Sequence, residues 1–296
     1  MPVDKVFYNE ASASKLGWSP DWFGCSDFDD RLVRAIRKWQ KANDLAADGM
    51  CGPSSFRRIF AERAAEEEYV PSQAPSASGN SIIYNGEKYP IDWDKVILWT
   101  DNDDYAAPRG TYSSYDGKPN RDIKMFVVHW DVTTSSKTTA RVLKRRGISV
   151  TFCISAAGDV IQCCDMQHAT WHAGSRKWNH SSVGVEINNA FSLKYNQWYQ
   201  DHGFGKRPIW QGKVHGKTLK PHLGFYPIQV QALKALIKAI HNATGGKMPL
   251  EAPDTDTVHP PAAKNKWRGV LHHFNLTKRK IDSAGLDLVK LVKELQ

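Results

Sequence analysis

The chain has 296 residues, of which 41% are hydrophobic, so it is long enough for one large domain with a small one, or for two of medium size. Its 40 Lys and Arg residues outnumber 31 acidic ones, and the net charge of +9 favours an anionic partner such as nucleic acid, a membrane surface or a bacterial envelope. The five cysteines include an adjacent pair and show no Cys-x-x-Cys spacing, which argues against a disulfide framework and a cysteine-based zinc site.

The N-terminal sequence lacks the features of an export signal. Residues 1–18 contain an early Asp and a Glu, without a basic start followed by an apolar core. No apolar run in the sequence approaches the roughly 18 residues that cross a membrane. We therefore expect a chain that is made in the cytoplasm without a signal peptide and has no membrane span.

Two short helices are predicted near the N-terminus. Residues 29–43 place apolar side chains at helical spacing behind an acidic start, and Gly52-Pro53 opens a second helix after a turn at residues 47–49. Residues 66–80 are acidic and then rich in Pro, Ser, Ala and Gly, which is typical of a linker. We therefore predict a small all-α bundle over residues 1–68, a linker over 69–80 and a second domain over 81–296.

The predicted bundle resembles the peptidoglycan-binding repeat, a helical hairpin with an aromatic-Gln pair, an Asp-Gly turn and a Gly-Pro start to its second helix. The matching residues are Ala35, Trp39, Gln40, Leu45, Asp48, Gly49, Gly52 and Pro53. One departure is Ser54-Ser55-Phe56, where the family usually has Thr. The resemblance implies binding to peptidoglycan, and a generic helical hairpin is the alternative.

The second domain alternates strand and helix signals. Apolar runs at residues 123–130, 182–187 and 268–272 predict buried strands, and residues 149–164 predict a hairpin. A helix is predicted from Ser135 to Gly147 and another over residues 227–244, which has the clearest apolar face. These elements predict an α/β fold with a mixed central sheet packed by helices. The aromatic and basic segment 192–222 has no periodicity, and its role stays open.

Polar side chains at the ends of these strands predict a metal site. His129 and His272 end two of the buried strands, and Asp282 follows in the next loop. If those strands are neighbours, two imidazoles and one carboxylate form a zinc set that leaves a fourth position for water. Lys280 would lie beside this metal, where an ammonium can stabilise a developing oxyanion, and Glu186 would be either a buried charge or a base.

These residues also resemble the zinc N-acetylmuramoyl-L-alanine amidase family, whose type 2 amidase fold is shared with peptidoglycan recognition proteins and the T7-type phage lysozyme. The similar motifs, within residues 120–288, are VVHW, the WHAG of residues 171–174, SVGVEI and a closing His-x7-Lys-x-Asp. The resemblance implies zinc as cofactor, the ligands His129, His272 and Asp282, Lys280 as an assisting cation, Glu186 as acid/base, and Trp171, His172 and Asn188 on the substrate side.

Two departures and one alternative accompany this resemblance. Residues 150–152 are Val-Thr-Phe where many members have His or Tyr, and the third ligand is Asp where others have Cys. His273 is the alternative to His272; since adjacent strand residues face opposite sides, only one of the two can be a ligand. The spacing of ten residues to Asp282 favours His272, as in bacterial members with an Asp ligand.

The resemblance also implies a substrate and a place of action. We expect hydrolysis of the amide bond between N-acetylmuramic acid and L-alanine in bacterial peptidoglycan, with no nucleic acid partner and a monomer favoured. The binding module, the amidase and the lack of an export signal together suggest a phage endolysin, made in the host cytoplasm and acting on the periplasmic or extracellular wall after release. A non-catalytic peptidoglycan recognition protein is the alternative function.

Overall fold

The computed structural model describes residues 3–67 and 79–296. The chain divides into two compact units, residues 1–68 and 69–296, which we describe separately. Of the predicted linker, residues 69–78 lie outside the described residues. Among the residues described, no helix combines the length and the apolar character needed to cross a membrane.

Within residues 3–67, the N-terminal unit contains three α-helices, one more than the sequence predicted. They are α1 (Lys5–Leu16), α2 (Asp30–Ala42) and α3 (Pro53–Glu66). The Asp29 carboxylate caps α2 by accepting from two backbone amides, and Pro53 occupies the first turn of α3. Helix α1 was missed because it buries little apolar surface; its buried Asn9 instead bonds to the backbone of Gly49 and Cys51.

The second unit is built around a six-stranded sheet with the order β14-β5-β9-β6-β7-β3. Strands β14, β5, β9 and β6 run parallel, and β7 is antiparallel to β6 and parallel to β3. The strands are β1 (Ser81–Tyr84), β2 (Glu87–Pro90), β3 (Val96–Leu98), β4 (Tyr112–Ser113), β5 (Met125–Trp130), β6 (Phe152–Ile154), β7 (Val160–Gln162), β8 (Ala169–Thr170), β9 (Ser182–Ile187), β10 (Ile209–Trp210), β11 (Lys213–Val214), β12 (Lys217–Thr218), β13 (His222–Leu223) and β14 (Gly269–His272).

Helices pack on this sheet, so the predicted α/β fold with a mixed central sheet is confirmed. The helices of this unit are α4 (Ser136–Arg146), α5 (Arg176–Ser181), α6 (Asn196–Asp201), α7 (Pro227–Ala243), α8 (Pro260–Ala263) and α9 (Leu288–Lys293). The apolar side of α7, including Leu233, Leu236 and Ile240, joins Val128 and Val185 of the sheet in the main core. Helix α4 begins at the cap residue Ser135 and ends at Gly147, as predicted.

The adjacency of β14 and β5 positions the candidate site. These strands are far apart in sequence, yet they pair in parallel with His272 opposite Val128. On the other side of β5, His129 is opposite Glu186 of β9. The carboxyl ends of the three strands therefore meet at one edge of the sheet, which is where ligands bind in open α/β sheets.

Candidate active site

One face of the sheet carries the polar groups at this edge. Since side chains alternate along a strand, Met125, Val127 and His129 share a face, and Val128 points to the opposite one. The contacts agree, because Val128 packs in the core with α7 whereas Met125 and Val127 pack in a separate cluster. By the register of β9, Glu186 lies next to His129 on the same face, half-buried.

His129, His273 and Asp282 form a buried cluster at this edge. The Asp282 oxygen Oδ2 lies 3.1 Å from His129 Nδ1 and 2.9 Å from His273 Nδ1. The two imidazole rings meet edge to face with their centroids 4.4 Å apart. The potential ligand atoms of the three residues all lie within 4.8 Å of one another.

The structure brings His273, and not the expected His272, next to His129 and Asp282. His272 ends β14 opposite Val128, and its ring stacks on Phe274 with centroids 4.4 Å apart while Nδ1 bonds to Ser283 Oγ at 2.9 Å. His273 is the next residue along and reaches His129, as it begins a 3-10 turn. The two histidines do face different sides, but which of them lies beside His129 depends on the residues of β14 and β5 that are paired.

His172, which was expected on the substrate side, lies against His129. His172 Nδ1 lies 3.0 Å from His129 Nε2, and its Nε2 lies 3.1 Å from Ser182 Oγ. The ring occupies space that exists only because residue 184 is glycine: a Cβ there would lie 2.5 Å from His172 Nδ1. The Ser182 hydroxyl donates to the Trp178 carbonyl. This row of hydrogen bonds fixes the orientation of the His129 ring.

A buried arginine that the sequence did not reveal holds the segment bearing His172. The Arg121 guanidinium is 6% exposed and donates only to backbone carbonyls, those of Met166, Gln167, Asn179, His180 and Ser182. Burial lowers its pKa to about 10. Nothing in the local sequence marks Arg121, because its partners are carbonyls that any residue type supplies.

The other predicted residues divide between the site and the interior. Lys280 is half-buried, and its positive charge is among the causes that lower the pKa of Asp282. Trp171 is 38% exposed, with its indole nitrogen 3.4 Å from Ser113 Oγ. Asn188, expected on the substrate side, follows the end of β9 and has a fully buried side chain bonded to Asp131 and Tyr199.

Burial and charge set the protonation states of His129 and Asp282 in this cluster. Burial, with a contribution from His273, lowers the pKa of His129 to about 4, so this imidazole is neutral at pH 7. Burial alone would raise the pKa of Asp282, but His273 and His129 outweigh it and hold that pKa well below its usual value. Neutral imidazoles and an ionised carboxylate are the forms that bind metal.

The donor set fits zinc. Two imidazole nitrogens and one carboxylate oxygen are ligands of catalytic zinc sites, which keep a position for water. Ligand atoms around a tetrahedral zinc with bonds of about 2.0–2.1 Å lie roughly 3.3 Å apart. The observed separations of 3.1 and 2.9 Å from Asp282 Oδ2 are close to that spacing. His129, His273 and Asp282 are therefore the residues that could hold the ion.

Comparison with known proteins shows the family to which the chain belongs. A profile described as N-acetylmuramoyl-L-alanine amidase matches residues 119–282, more than half of the chain. The chain belongs to the N-acetylmuramoyl-L-alanine amidase family. The matched range includes His129, His273, Asp282 and Glu186. No match was found among curated proteins.

Several solved structures are similar to this amidase family member at low identity. AMPDH3 from Pseudomonas aeruginosa, solved with anhydromuramic pentapeptide, is 16% identical with a TM-score of 0.39, over 63% of this chain and 64% of that one. The amidase LysC from Clostridium intestinale is 13% identical with a TM-score of 0.39, over 69% and 98%. The hydrolase AmiA from Staphylococcus aureus, solved with its ligand, is 12% identical with a TM-score of 0.39, over 71% and 85%. The chain thus spans 64% of the length of the AMPDH3 chain.

Residues 150–152, which are Val-Thr-Phe where many family members have His or Tyr, include a buried threonine in this amidase family member. Thr151 is fully buried, and its hydroxyl lies 3.0 Å from that of Thr170. Two hydroxyls of this kind satisfy each other's hydrogen bonds. The position where many members have His or Tyr therefore contributes to packing here.

Proposed function

We propose that this protein hydrolyses the amide bond between N-acetylmuramic acid and L-alanine in peptidoglycan, with zinc held by His129, His273 and Asp282. The observation that carries the proposal is the buried convergence of these three side chains beside Glu186 in a member of the amidase family. Zinc bound there would act as a Lewis acid toward the carbonyl and would lower the pKa of a coordinated water.

Each neighbouring residue then has a role in the hydrolysis. Glu186, opposite His129 in the strand register, accepts a proton from the attacking water and returns it to the departing L-alanine amine. The Lys280 ammonium stabilises negative charge on the carbonyl oxygen. His172 keeps the His129 ring oriented through the 3.0 Å contact between their nitrogens. The exposed Trp171 contributes an apolar surface to the substrate side.

We propose that the N-terminal unit binds peptidoglycan. Its support is the resemblance of residues 35–53 to the binding repeat, together with the helical hairpin that these residues form. The Gln40 side chain of the motif is buried and bonds to Asp48 and to the Gly49 amide, which stabilises the Asp-Gly turn. A binding unit beside a hydrolase raises the effective concentration of catalyst at an insoluble polymer.

We propose that this protein acts as a phage endolysin, which lyses the host cell. A wall-binding unit in one chain with an amidase is the organisation expected of a modular endolysin. The net charge of +9 would favour association with an anionic envelope. Expression inside bacteria with and without a membrane-permeabilising protein tests this role, since an endolysin lyses the cells only when the inner membrane is breached.

Analysis of digested peptidoglycan tests the reaction. The zinc-loaded protein should release stem peptides with new L-alanine amines and produce no new reducing sugars. Glu186→Gln should bind zinc as the wild type does and lose about 10²–10⁴-fold in rate, the usual contribution of a general acid or base. New reducing ends would point to a glycosidase, and a fully active Glu186→Gln variant would remove Glu186 from the mechanism.

A further inference from the structure

The segment between β9 and α7, residues 188–226, has no role in the proposed reaction. It nevertheless contacts the loop that carries Lys280 and Asp282. It contains two small antiparallel pairs, β10 with β13 and β11 with β12. Such a long connection is commonly functional when it is packed rather than loose. Its contacts at both ends show what it can do.

The base of the segment is fixed to the end of β9 by a buried arginine. Arg207 is 1% exposed and donates to the Asn188 carbonyl at 3.0 Å and to the Gly224 carbonyl at 3.0 Å. Its guanidinium lies between the rings of Tyr199 and Tyr226, at 4.0 and 4.3 Å from their centroids. The segment is therefore anchored two residues beyond Glu186.

The other end of the segment packs against the loop at residues 277–285. The Trp210 ring lies over Gly285, where an added Cβ would be 3.2 Å from the indole. His222, paired with Trp210, contacts the Trp130 ring at the end of β5 with centroids 5.1 Å apart. The segment thus bridges the ends of β9 and β5 and the loop that follows β14.

His215 makes the direct contact with this loop. Its Nε2 lies 2.8 Å from the Lys280 carbonyl oxygen, and its Nδ1 lies 3.0 Å from Thr257 Oγ1. Because a carbonyl oxygen only accepts, Nε2 carries the proton and Nδ1 accepts from the Thr257 hydroxyl. The imidazole is therefore held on both sides, and its backbone amide also donates to Asp256.

The turn itself gives no reason for a histidine at this position. His215 and Gly216 connect β11 to β12 with φ angles of 54° and 73°, the left-handed pair of a two-residue hairpin turn. Such turns prefer Asn-Gly. An imidazole there reaches farther than an Asn side chain would, and the Lys280 carbonyl is what it reaches.

We propose that His215 is a positioning residue that sets the place of the loop bearing Lys280 and Asp282, an inference that rests on the proposed zinc site. The loop is closed by local turns, in which the Lys280 amide donates to Thr277 and the Ala284 amide donates to Ile281. The Asp282 end of the loop is also held by the Phe274 amide, which donates to the Asp282 carbonyl, and by Ser283, which bonds to His272. The contact from His215 ties the Lys280 end of the loop to the segment anchored on the sheet. Loss of a direct partner of a metal ligand typically costs 10–100-fold in metal affinity or activity. His215 acts on Asp282 through two residues of backbone, so we expect a cost at the lower end of that range.

Zinc affinity of the purified full chain, measured by competition with a chromogenic chelator, tests the proposal. His215→Asn keeps a residue suited to the turn but does not reach Lys280, so the zinc Kd should rise about 10-fold. His215→Gln places a donor amide near the position of Nε2 and should recover to within about 3-fold of the wild type. His202→Asn changes a histidine of the same segment that bonds to the Trp198 carbonyl, and should bind zinc as the wild type does.

The outcomes separate this inference from the proposed function. A His215→Asn variant with wild-type zinc affinity, or a His202→Asn variant weakened equally, would overturn the positioning role. A wild-type protein that binds no zinc would instead overturn the proposed metal site, on which the inference rests. Urea unfolding checks that the variants are folded; if His215→Asn is not, Thr257→Val, which removes the hydroxyl that orients the imidazole, should raise the zinc Kd by a similar factor.

Discussion

At the scale of single residues, His272 and His273 show how neighbours acquire different chemistry. Both are buried, but His272 stacks on Phe274 and bonds to Ser283, whereas His273 meets His129 and Asp282. The difference arises because adjacent positions at the end of a strand point to opposite faces. One imidazole therefore supports packing, and the other is available to a metal.

The matched variants His273→Ala and His272→Ala test this division. His273→Ala should contain almost no zinc after purification, because two remaining ligands hold the ion poorly. His272→Ala should keep about one zinc per chain and lose stability, since it removes a buried ring. Metal analysis and urea unfolding measure the two effects. Zinc loss in His272→Ala with retention in His273→Ala would reverse the assignment.

His272 should also contribute to the pH dependence of stability in the metal-free protein. Burial lowers its pKa to about 3 from 6.5, so the unfolded chain takes up the proton first as the pH falls. The contribution of the neutral His272 side chain to the free energy of unfolding is fully present above pH 6.5. It is lost as the pH decreases toward 3, by up to about 1.4 kcal/mol per pH unit. His272→Phe cannot titrate and should show a shallower decline between pH 6 and 4, measured by urea unfolding. Equal slopes would show that His272 is not responsible.

At the scale of elements, β9 is shaped by what packs on one of its faces. Ser182, Gly184 and Glu186 alternate on the side of His129, and each has a separate task there. Ser182 bonds to His172, Gly184 leaves room for its ring, and Glu186 lies beside His129. The SVGVEI motif thus combines a buried strand with a glycine that the neighbouring loop requires.

Gly184→Ala should disturb this arrangement through His172. The added methyl would lie 2.5 Å from His172 Nδ1, so the ring must move, at a cost of about 1–3 kcal/mol in the free energy of unfolding. In a His172→Ala background the same change should cost much less, because the clashing ring is gone. A double-mutant cycle by urea unfolding measures the coupling. Additive effects would mean that the methyl and the ring do not meet.

At the scale of the whole molecule, the proposed function divides binding and hydrolysis between the two compact units. The N-terminal unit has its own core of helices α1 to α3, and the second unit is built around the central sheet. A chain fragment with its own core can fold alone. Each unit can therefore be assayed by itself.

Sedimentation with insoluble peptidoglycan tests that division. Residues 1–67 should sediment with the polymer, and residues 79–296 should hydrolyse soluble muramoyl peptides at the rate of the full chain. On insoluble peptidoglycan the second fragment should be slower at low enzyme concentration by about 10-fold or more, because tethering is lost. Binding of residues 79–296 as tight as that of the full chain would leave the N-terminal unit without this role.

The sequence by itself determined the elements whose signals are local. Helix ends and buried strands of this kind are set by residues close together in sequence. Examples are the cap at Asp29, Pro53 at the start of α3, Ser135 and Gly147 at the ends of α4, and the apolar runs of β5 and β9. The motif resemblance also led to the amidase family and to His129, Asp282, Glu186 and Lys280 as candidates.

Tertiary structure decided what depends on pairing between distant segments. The register of β14 against β5 places His273, rather than His272, beside His129, and Asn188 is fully buried. The roles of Arg121, His172 and His215 follow from carbonyls and rings that lie far from them in sequence. Local patterns do not encode such contacts, because any residue supplies a carbonyl and only the folded chain brings it within hydrogen-bonding distance.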